Sequence, residues 1–272
     1  LSGQLTTAWE KSIGQLDCGT DGVWTGTGWT GMPIIIQWDS ETRALLGIAE
    51  EFKAKDGFTE VIYPAMDGKI YFFEPLVEVV YPSMDGYIYF YELQTGKATR
   101  DALNLGYTFK GTGTLDPRGY PLLYLGQGVQ STSEEGTYGA WFRVVSLIDN
   151  SVISTFGGRD PASNRQWQAY DSSPIFASDA DTLIIGGENG LLYTVKLNAR
   201  FDKEAGTVSV DPGRLVKYRY HFSGYSDSDG ARWYGIESSV AAWHQYAFFT
   251  DNGGMLQCLD LNSMTLKYAV DT

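Results

Sequence analysis

The stretch EVIYPAMDGKIYFFEPLVEVVYPSMDGYIYFYE, residues 60–92, says one thing twice. Val61-Ile62-Tyr63-Pro64-Ala65-Met66-Asp67-Gly68 returns 18 residues later as Val79-Val80-Tyr81-Pro82-Ser83-Met84-Asp85-Gly86. Each copy joins two β-branched or aromatic runs through an Asp-Gly pair that tolerates positive φ, the pattern of a strand, a tight turn and a strand. Weaker copies follow. TLIIGGENGLLYTVKLN places its turn at Asn189-Gly190, and YAFFTDNGGMLQCLDLN at Asn252-Gly253. PLLYLGQG runs through a longer connection, from Gln127 to Gly139, into GAWFRVVSLIDNSVISTF. A chain written in hairpins is confined to β-sheet architectures.

Eighteen residues hold only two short strands, so that offset is not the repeat of the fold. Asn189 to Asn252 is 63 residues, and Asp85 to Asn189 is 104 with one copy between them. The period is therefore roughly 50–60 residues, the size of a four-stranded propeller blade. The doubled phrase is an extra hairpin or a local duplication inside one blade. Four segments lead from small or polar residues into an apolar strand: GWTGMPIII, DPRGYPLLY, YDSSPIFA and IESSVAAW. Each is followed by a hairpin and a further strand-like run, in turn KATRDALNLGYTF, SVISTFGG, RLVKYRYHF and TLKYAVD.

These runs predict one all-β domain over residues 1–272. It is a β-propeller of about four four-stranded antiparallel blades, standing alone or as part or half of a seven- or eight-bladed ring. SETRALLGIAEEFKAKDGF carries Leu45, Leu46, Ile48, Ala49 and Phe52 near helical spacing and predicts a short helix inserted in the first blade. ARFDKEAGTVSVDPGRL reads as a polar excursion within the third. The N-terminal LTTAWEKSIG resembles the phrase that closes the chain, so a strand near residues 6–12 duplicates a role that residues 265–270 already fill.

Composition removes several function classes. Asp and Glu number 33 against 20 Lys and Arg, with no basic cluster, which excludes a nucleic-acid groove. No apolar run approaches the ~18–20 residues that span a bilayer. Glycine, at 32 residues, and 14% aromatics suit short strands and tight turns. Cys18 and Cys258 stand in no metal-ligand spacing and are read as free thiols, with a single bond between them as the alternative. The sequence opens at Leu1 without a signal peptide and is read as a mature or excised segment.

VVYPSMDGYIYFYELQTGKATR and GGMLQCLDLNSMTLKY resemble the quinoprotein-type, or PQQ-like, β-propeller repeat. That repeat runs strand, Asp-Gly turn, Leu-Tyr-Ala-Leu-Asp, Thr-Gly-Lys and Trp. The likeness extends over all four blades and is similar to that of bacterial PQQ-binding-like β-propeller repeat proteins. It implies a propeller fold. For function it implies either quinone-dependent dehydrogenases or non-catalytic scaffolds such as the outer-membrane assembly lipoprotein of Gram-negative bacteria. The dehydrogenases carry adjacent cysteines, a Trp floor under the quinone and a bound calcium. No Cys-Cys pair is present here, and four blades fall short of their eight. The expectation is no quinone cofactor, with calcium left open.

Aligning the four strand lead-ins on Pro33, Pro121, Pro174 and Val240 puts Thr30, Arg118, Asp171 and Glu237 at one position. In a propeller these would converge at one channel mouth, with Trp24, Trp29, Trp167 and Trp233 in the same loops. Aromatic faces beside carboxylates and a guanidinium suit a polar ligand such as a glycan or peptide. Pairing of these charges with each other, and packing of the tryptophans between blades, is the structural alternative. SDSDG places Asp227 and Asp229 at calcium-loop spacing without the downstream acidic ligand, and reads as a turn. His221 and His244 belong to no nucleophile-base constellation.

The sequence thus points to a non-catalytic binding or interaction scaffold of the bacterial envelope or exterior. Its partner is a protein or glycan ligand, with a homodimer as a further option. The alternatives are a quinone-dependent or glycan-cleaving enzyme, the latter using Asp171 and Glu237, and a structural segment that self-assembles.

Overall fold

A computed structural model describes residues 15–17, 22–24, 34–55, 59–62, 78–82, 87–92, 97–106, 108–128, 141–157, 160–163, 169–220 and 234–272. Strands β1 (Leu16–Asp17) and β2 (Val23–Trp24) form a short antiparallel pair. Strand β3 (Ile34–Gln37) pairs with β4 (Thr59–Ile62), and the helices α1 (Ser40–Leu45) and α2 (Glu50–Lys53) lie between them. Asp39 caps α1, accepting from the backbone N–H of Glu41 and Thr42. β4 runs beside β5 (Glu78–Pro82), which makes a three-stranded sheet with β6 (Tyr87–Glu92) and β7 (Leu103–Asn104). These elements make up blade 1.

Three complete four-stranded meanders follow. Blade 2 is β8 (Thr114–Leu115), β9 (Leu122–Gly126), β10 (Trp141–Ser146) and β11 (Ser151–Gly157). Blade 3 starts with β12 (Ile175–Ala177), β13 (Thr182–Gly186) and β14 (Leu191–Lys196). A separate hairpin of β15 (Arg200–Asp202) and β16 (Thr207–Ser209) then precedes its outer strand β17 (Val216–Arg219). Blade 4 is β18 (Ala241–Trp243), β19 (Tyr246–Thr250), β20 (Met255–Asp260) and β21 (Thr265–Asp271).

Alternation along the third strand of each blade decides how blades stack. In YIYFYE, WFRVVS and LLYTVK the second and fourth residues lie on the side of the next blade, and in WFRVVS, LLYTVK and MLQCLD the odd ones lie on the side of the previous blade. Ile88 and Phe90 pack against Leu115, Leu123, Leu125 and Val145 of blade 2. Phe142 and Val144 pack against Leu183, Leu191 and Tyr193 of blade 3. Leu192 packs, with Ile184, against Ala247, Phe249 and Leu259 of blade 4. Each fully buried side chain of this kind contributes roughly 1.5–3 kcal/mol. First strands converge: Thr112 N donates to Ser173 Oγ, and Ser172 Oγ to the Ser238 carbonyl. Outer strands splay, leaving a groove of about 950 Å³ between β11 and β17. Face-to-face sheets that touch at their first strands and part at their last form a β-propeller.

Several expectations are corrected. DPRGYPLLY is not a first strand, because Leu122–Gly126 pairs on both sides and Thr114–Leu115 holds the inner place. The repeat spans 61 and 66 residues at equivalent first-strand positions, longer than the 50–60 read from the turns. In blade 4 the turn forms at Asn252-Gly253 as expected, closed by Gly254 N donating to Asp251 O, and the positive-φ glycine matching Gly190 is Gly254. The polar excursion of blade 3 is a β-hairpin, and its Lys203 reaches Asp39 ahead of α1 at 3.1 Å. The expected single helix is two short ones. β5 and β6 pair as antiparallel partners, while the Asp67-Gly68 and Asp85-Gly86 turns and residues 6–12 lie outside the described residues. Cys258 is a buried free thiol, and Cys18 lies outside the described residues.

Close packing of successive blades demands glycine at the end of the second strand. A Cβ on Gly126 would stand 2.3 Å from Tyr170 Cβ and 2.4 Å from the Tyr170 carbonyl oxygen. Gly126→Ala is expected to lower stability by about 1–3 kcal/mol in urea denaturation, the usual cost of overpacking. Gly213→Ala, whose Cβ meets nothing nearer than 3.6 Å, is the control and stays within about 0.5 kcal/mol.

Candidate functional site at the channel mouth

Blade-to-blade register is fixed near the axis by backbone hydrogen bonds. The connection after each second strand donates to its own blade's lead-in: Gly128 N to Thr108 O at 2.7 Å, Glu188 N to Ala169 O at 3.0 Å, Asn252 N to Gly235 O at 2.9 Å. The same connection accepts from the next blade, Gln127 O from Tyr170 N and Gly187 O from Ile236 N, both at 3.0 Å. One residue further along each lead-in stand Lys110, Asp171 and Glu237. Gly111 passes so close to the neighbouring backbone that a Cβ there would lie 2.3 Å from the Asp171 carbonyl oxygen.

Lys110 Nζ donates to Asp171 Oδ2 at 2.7 Å and lies 3.5 Å from Glu188 Oε1. Asp171, Glu188 and Glu237 bring carboxylate oxygens within 4.8 Å of one another. Asp171 and Glu188 are buried, whereas Glu237 is part-exposed and accepts from Asn252 Nδ2 at 2.6 Å. Thr108, also buried, turns its hydroxyl toward the place where Lys110 Cε and Asp171 Oδ1 meet Gly128, and that hydroxyl has no hydrogen-bond partner among the described residues. Burial alone would lower the Lys110 pKa, but the charges of Asp171 and Glu188 outweigh it and hold the ammonium above its ordinary value.

Of the residues read from the sequence, Asp171 and Glu237 meet here. Arg118 does not. It follows β8 instead of preceding it, at the far end of the strand, because Pro121 leads into a second strand and Pro174 into a first. There Arg118 is bidentate to Asp116 and reaches Asp181 of blade 3 at 2.6 Å, stacked between Tyr120 and Phe176. Its hydrogen bonds to Asp116, then the nearby carboxylate charges, raise its pKa further. The residue equivalent to Asp171 in blade 2 is Lys110. Trp24 lies in β2, paired in register with Leu16. Trp29, Thr30, Trp167 and Trp233 lie outside the described residues, as do His221, Asp227 and Asp229. His244 sits exposed in the β18–β19 turn with φ 52°, against Trp243.

Lys110 and Glu188 were missed, although a signal for Lys110 exists. FKGTG, YDSSP and IESSV share an apolar residue, a charged one and two small ones, and Phe109, Tyr170 and Ile236 all enter the blade cores. The anchor equivalent to Pro174 is Gly113.

No protein-family profile matches the chain, and no curated protein matches it. Among solved structures it is similar to the crystal structure of BamB from Moraxella catarrhalis, at 14% identity and a TM-score of 0.41. The match covers 70% of this chain and 45% of that one, so it spans less than half the length of that protein. The propeller assignment rests on the sheet order and face packing above.

Lys110→Met would strand buried carboxylates without their ammonium, a change expected to cost about 3–5 kcal/mol at neutral pH. The raised Lys110 pKa means that its contribution is full below about pH 10.4 and is lost progressively as pH rises from there toward the folded value. Urea denaturation of both proteins at pH 7.5 and 11 checks this: the gap between variant and wild type is expected to narrow at pH 11, and a gap that is constant with pH contradicts it.

Proposed function

We propose that this chain is a non-catalytic β-propeller scaffold, working at the cell envelope or outside the cell, whose channel mouth receives a basic segment of a peptide or protein partner. The observation that carries this reading is the excess of carboxylates over Lys110 at the mouth, with Glu237 and Asn252 on its accessible edge. A lysine or arginine at that edge meets Glu237 directly and feels the field of Asp171 and Glu188 behind it. No quinone is needed for this role. The envelope location follows from the resemblance of the repeat, and no described helix is long and apolar enough to cross a membrane. Self-association belongs to the same scaffold reading.

Glycan cleavage by Asp171 and Glu237 is disfavoured by access. Retaining enzymes place two carboxyl groups about 5–5.5 Å apart on either side of an open sugar site. Asp171 is wholly buried and held by Lys110, so no glycosidic oxygen reaches it.

Titration calorimetry with an oligolysine peptide, against a neutral chitooligosaccharide, tests the proposal. Saturable peptide binding is expected, weakened several-fold by raising salt from 50 to 300 mM and by Glu237→Gln. Silence toward the peptide together with saturable sugar binding and a tryptophan fluorescence change would overturn it in favour of a glycan.

A further inference from the structure

The outer strands of blades 2 and 3 border the groove of about 950 Å³, and they do so edge-on. A sheet face shows every second residue of a strand. Here Ser154, Thr155 and Phe156 of β11 line the groove in succession, as do Leu215, Val216 and Lys217 opposite them. β11 and β17 are the last strands of their sheets, so each offers the groove a strand edge.

Edges are normally blunted by charge or proline, because a bare one recruits another strand. The outer strands of blades 3 and 4 follow that rule with Lys217, Arg219 and Lys267. SVISTFG, the seven residues of β11, carries neither charge nor proline. A bulge falls at Ile153, and beyond it Ser154 to Gly157 run in unbroken register with β10. The bare part of the edge is therefore regular, and it lies along the groove.

The chemistry of the walls selects what fits. Phe156 and Leu215 are part-exposed and Val216 is 45% exposed, which gives the groove an apolar lining. Arg214 and Lys217 line it and no carboxylate does, in a chain whose net charge is -13. Lys217 is engaged by Asp160 at 2.7 Å. Arg214 is exposed and makes no ion pair among the described residues, so it is the cation left for a ligand.

We propose that the edge of β11 receives an extended segment of a partner protein as an added outer strand of blade 2. The groove-facing residues of that segment are apolar against Phe156, Leu215 and Val216, with an acidic residue beside Arg214. Backbone hydrogen bonds to β11 supply the affinity, and the alternate side chains supply the selection. The site lies on outer strands, whereas Lys110 and Glu237 stand at first-strand lead-ins, so it is independent of what the channel mouth binds.

Fluorescence anisotropy with the labelled, end-capped peptide Glu-Thr-Val-Thr-Val-Thr-Glu tests it, at about 0.15 M salt to screen the net charge. The peptide matches β11 in length and puts both valines and both glutamates on one face. Saturable binding is expected, weakened at least about fivefold by Arg214→Glu. Arg214 is exposed, and an unchanged circular dichroism melt verifies the fold; Arg214→Gln, milder in effect, replaces the variant should it melt early. Two further peptides carry N-methyl groups on alternate amides, one set each. Only one of them is expected to lose binding, because an added strand bonds to its neighbour through every second residue. No saturable binding, equal binding to the Arg214 variant, or N-methylated peptides that behave alike would each overturn the proposal. Self-association of the chain that the peptide displaces would overturn it in favour of a second copy. Oligolysine binding, read on the same Arg214 variant, separates failure here from failure of the channel-mouth reading.

Discussion

The backbone hydrogen bonds that run from each second-strand connection to two successive lead-ins are the constraint on which the rest of the propeller depends. Each such bond is worth only about 1 kcal/mol net, less than one sealed Leu or Phe at a blade junction. Their role is register, and stability comes from the faces. Once Tyr170 N is tied to Gln127 and Ile236 N to Gly187, the next side chain in each lead-in has one place to go. Gly126 and Gly186 follow from the same constraint, because a Cβ at either would overlap Tyr170 or Ile236 of the following blade.

That fixed placement creates an electrostatic problem, which Lys110 resolves. Two like charges 4 Å apart repel by about 4 kcal/mol at an effective dielectric of 20. Asp171, Glu188 and Glu237 make three repulsive pairs, and one ammonium attracts all three, 2.7 Å from Asp171 and 3.5 Å from Glu188. A single lysine therefore offsets the mutual repulsion, leaving desolvation to be met by hydrogen bonds. Blade 2 departs from the acidic pattern of blades 3 and 4 at Lys110, whose side chain reaches both Asp171 and Glu188. A cation held by the fold also occupies the heart of the carboxylate group, and Glu237 lies at its part-exposed rim.

The hairpins and the blade series were legible because they rest on local information: alternation of period two and turn residues between apolar runs. YIYFYE and LLYTVK declare themselves as strands whatever surrounds them. The site register depended on which turn a proline serves, and Pro121 and Pro174 serve different ones. Asp171 and Glu237 were found because blades 3 and 4 align without gaps over their lead-ins; Lys110 was lost because Pro121 offered a false anchor. The β15–β16 hairpin escaped because Arg-Phe-Asp and Thr-Val-Ser each hold a single apolar residue, too little alternation to separate from a polar loop. Its docking through Lys203 onto Asp39 is a long-range pairing that no local pattern announces.

The two faces of a blade differ chemically, and the difference gives the series a direction. The third residue of the third strand always points backward and, in blades 2 to 4, ends in a polar group. Arg143 Nε donates to Gln127 Oε1, Asn189 Nδ2 donates to Tyr193 OH, and Gln257 Nε2 donates to Asp251 Oδ2. Each of these tips thus bonds within its own blade, on the connection that carries the register bonds, although Gln257 Oε1 has no hydrogen-bond partner among the described residues. A donor or acceptor stranded on burial costs about 1–3 kcal/mol, so these bonds ease the burial of a rear face by its neighbour. On the forward face the third strands of blades 1 and 2 present only apolar groups, Ile88 and Phe90 or Phe142 and Val144, and the polar tips there come from other positions, as Tyr124 OH donates to Asp116 Oδ2. Along the third strand of blade 2 apolar contact and polar bonding therefore lie on opposite sides of the sheet, and burying either side takes a neighbouring blade.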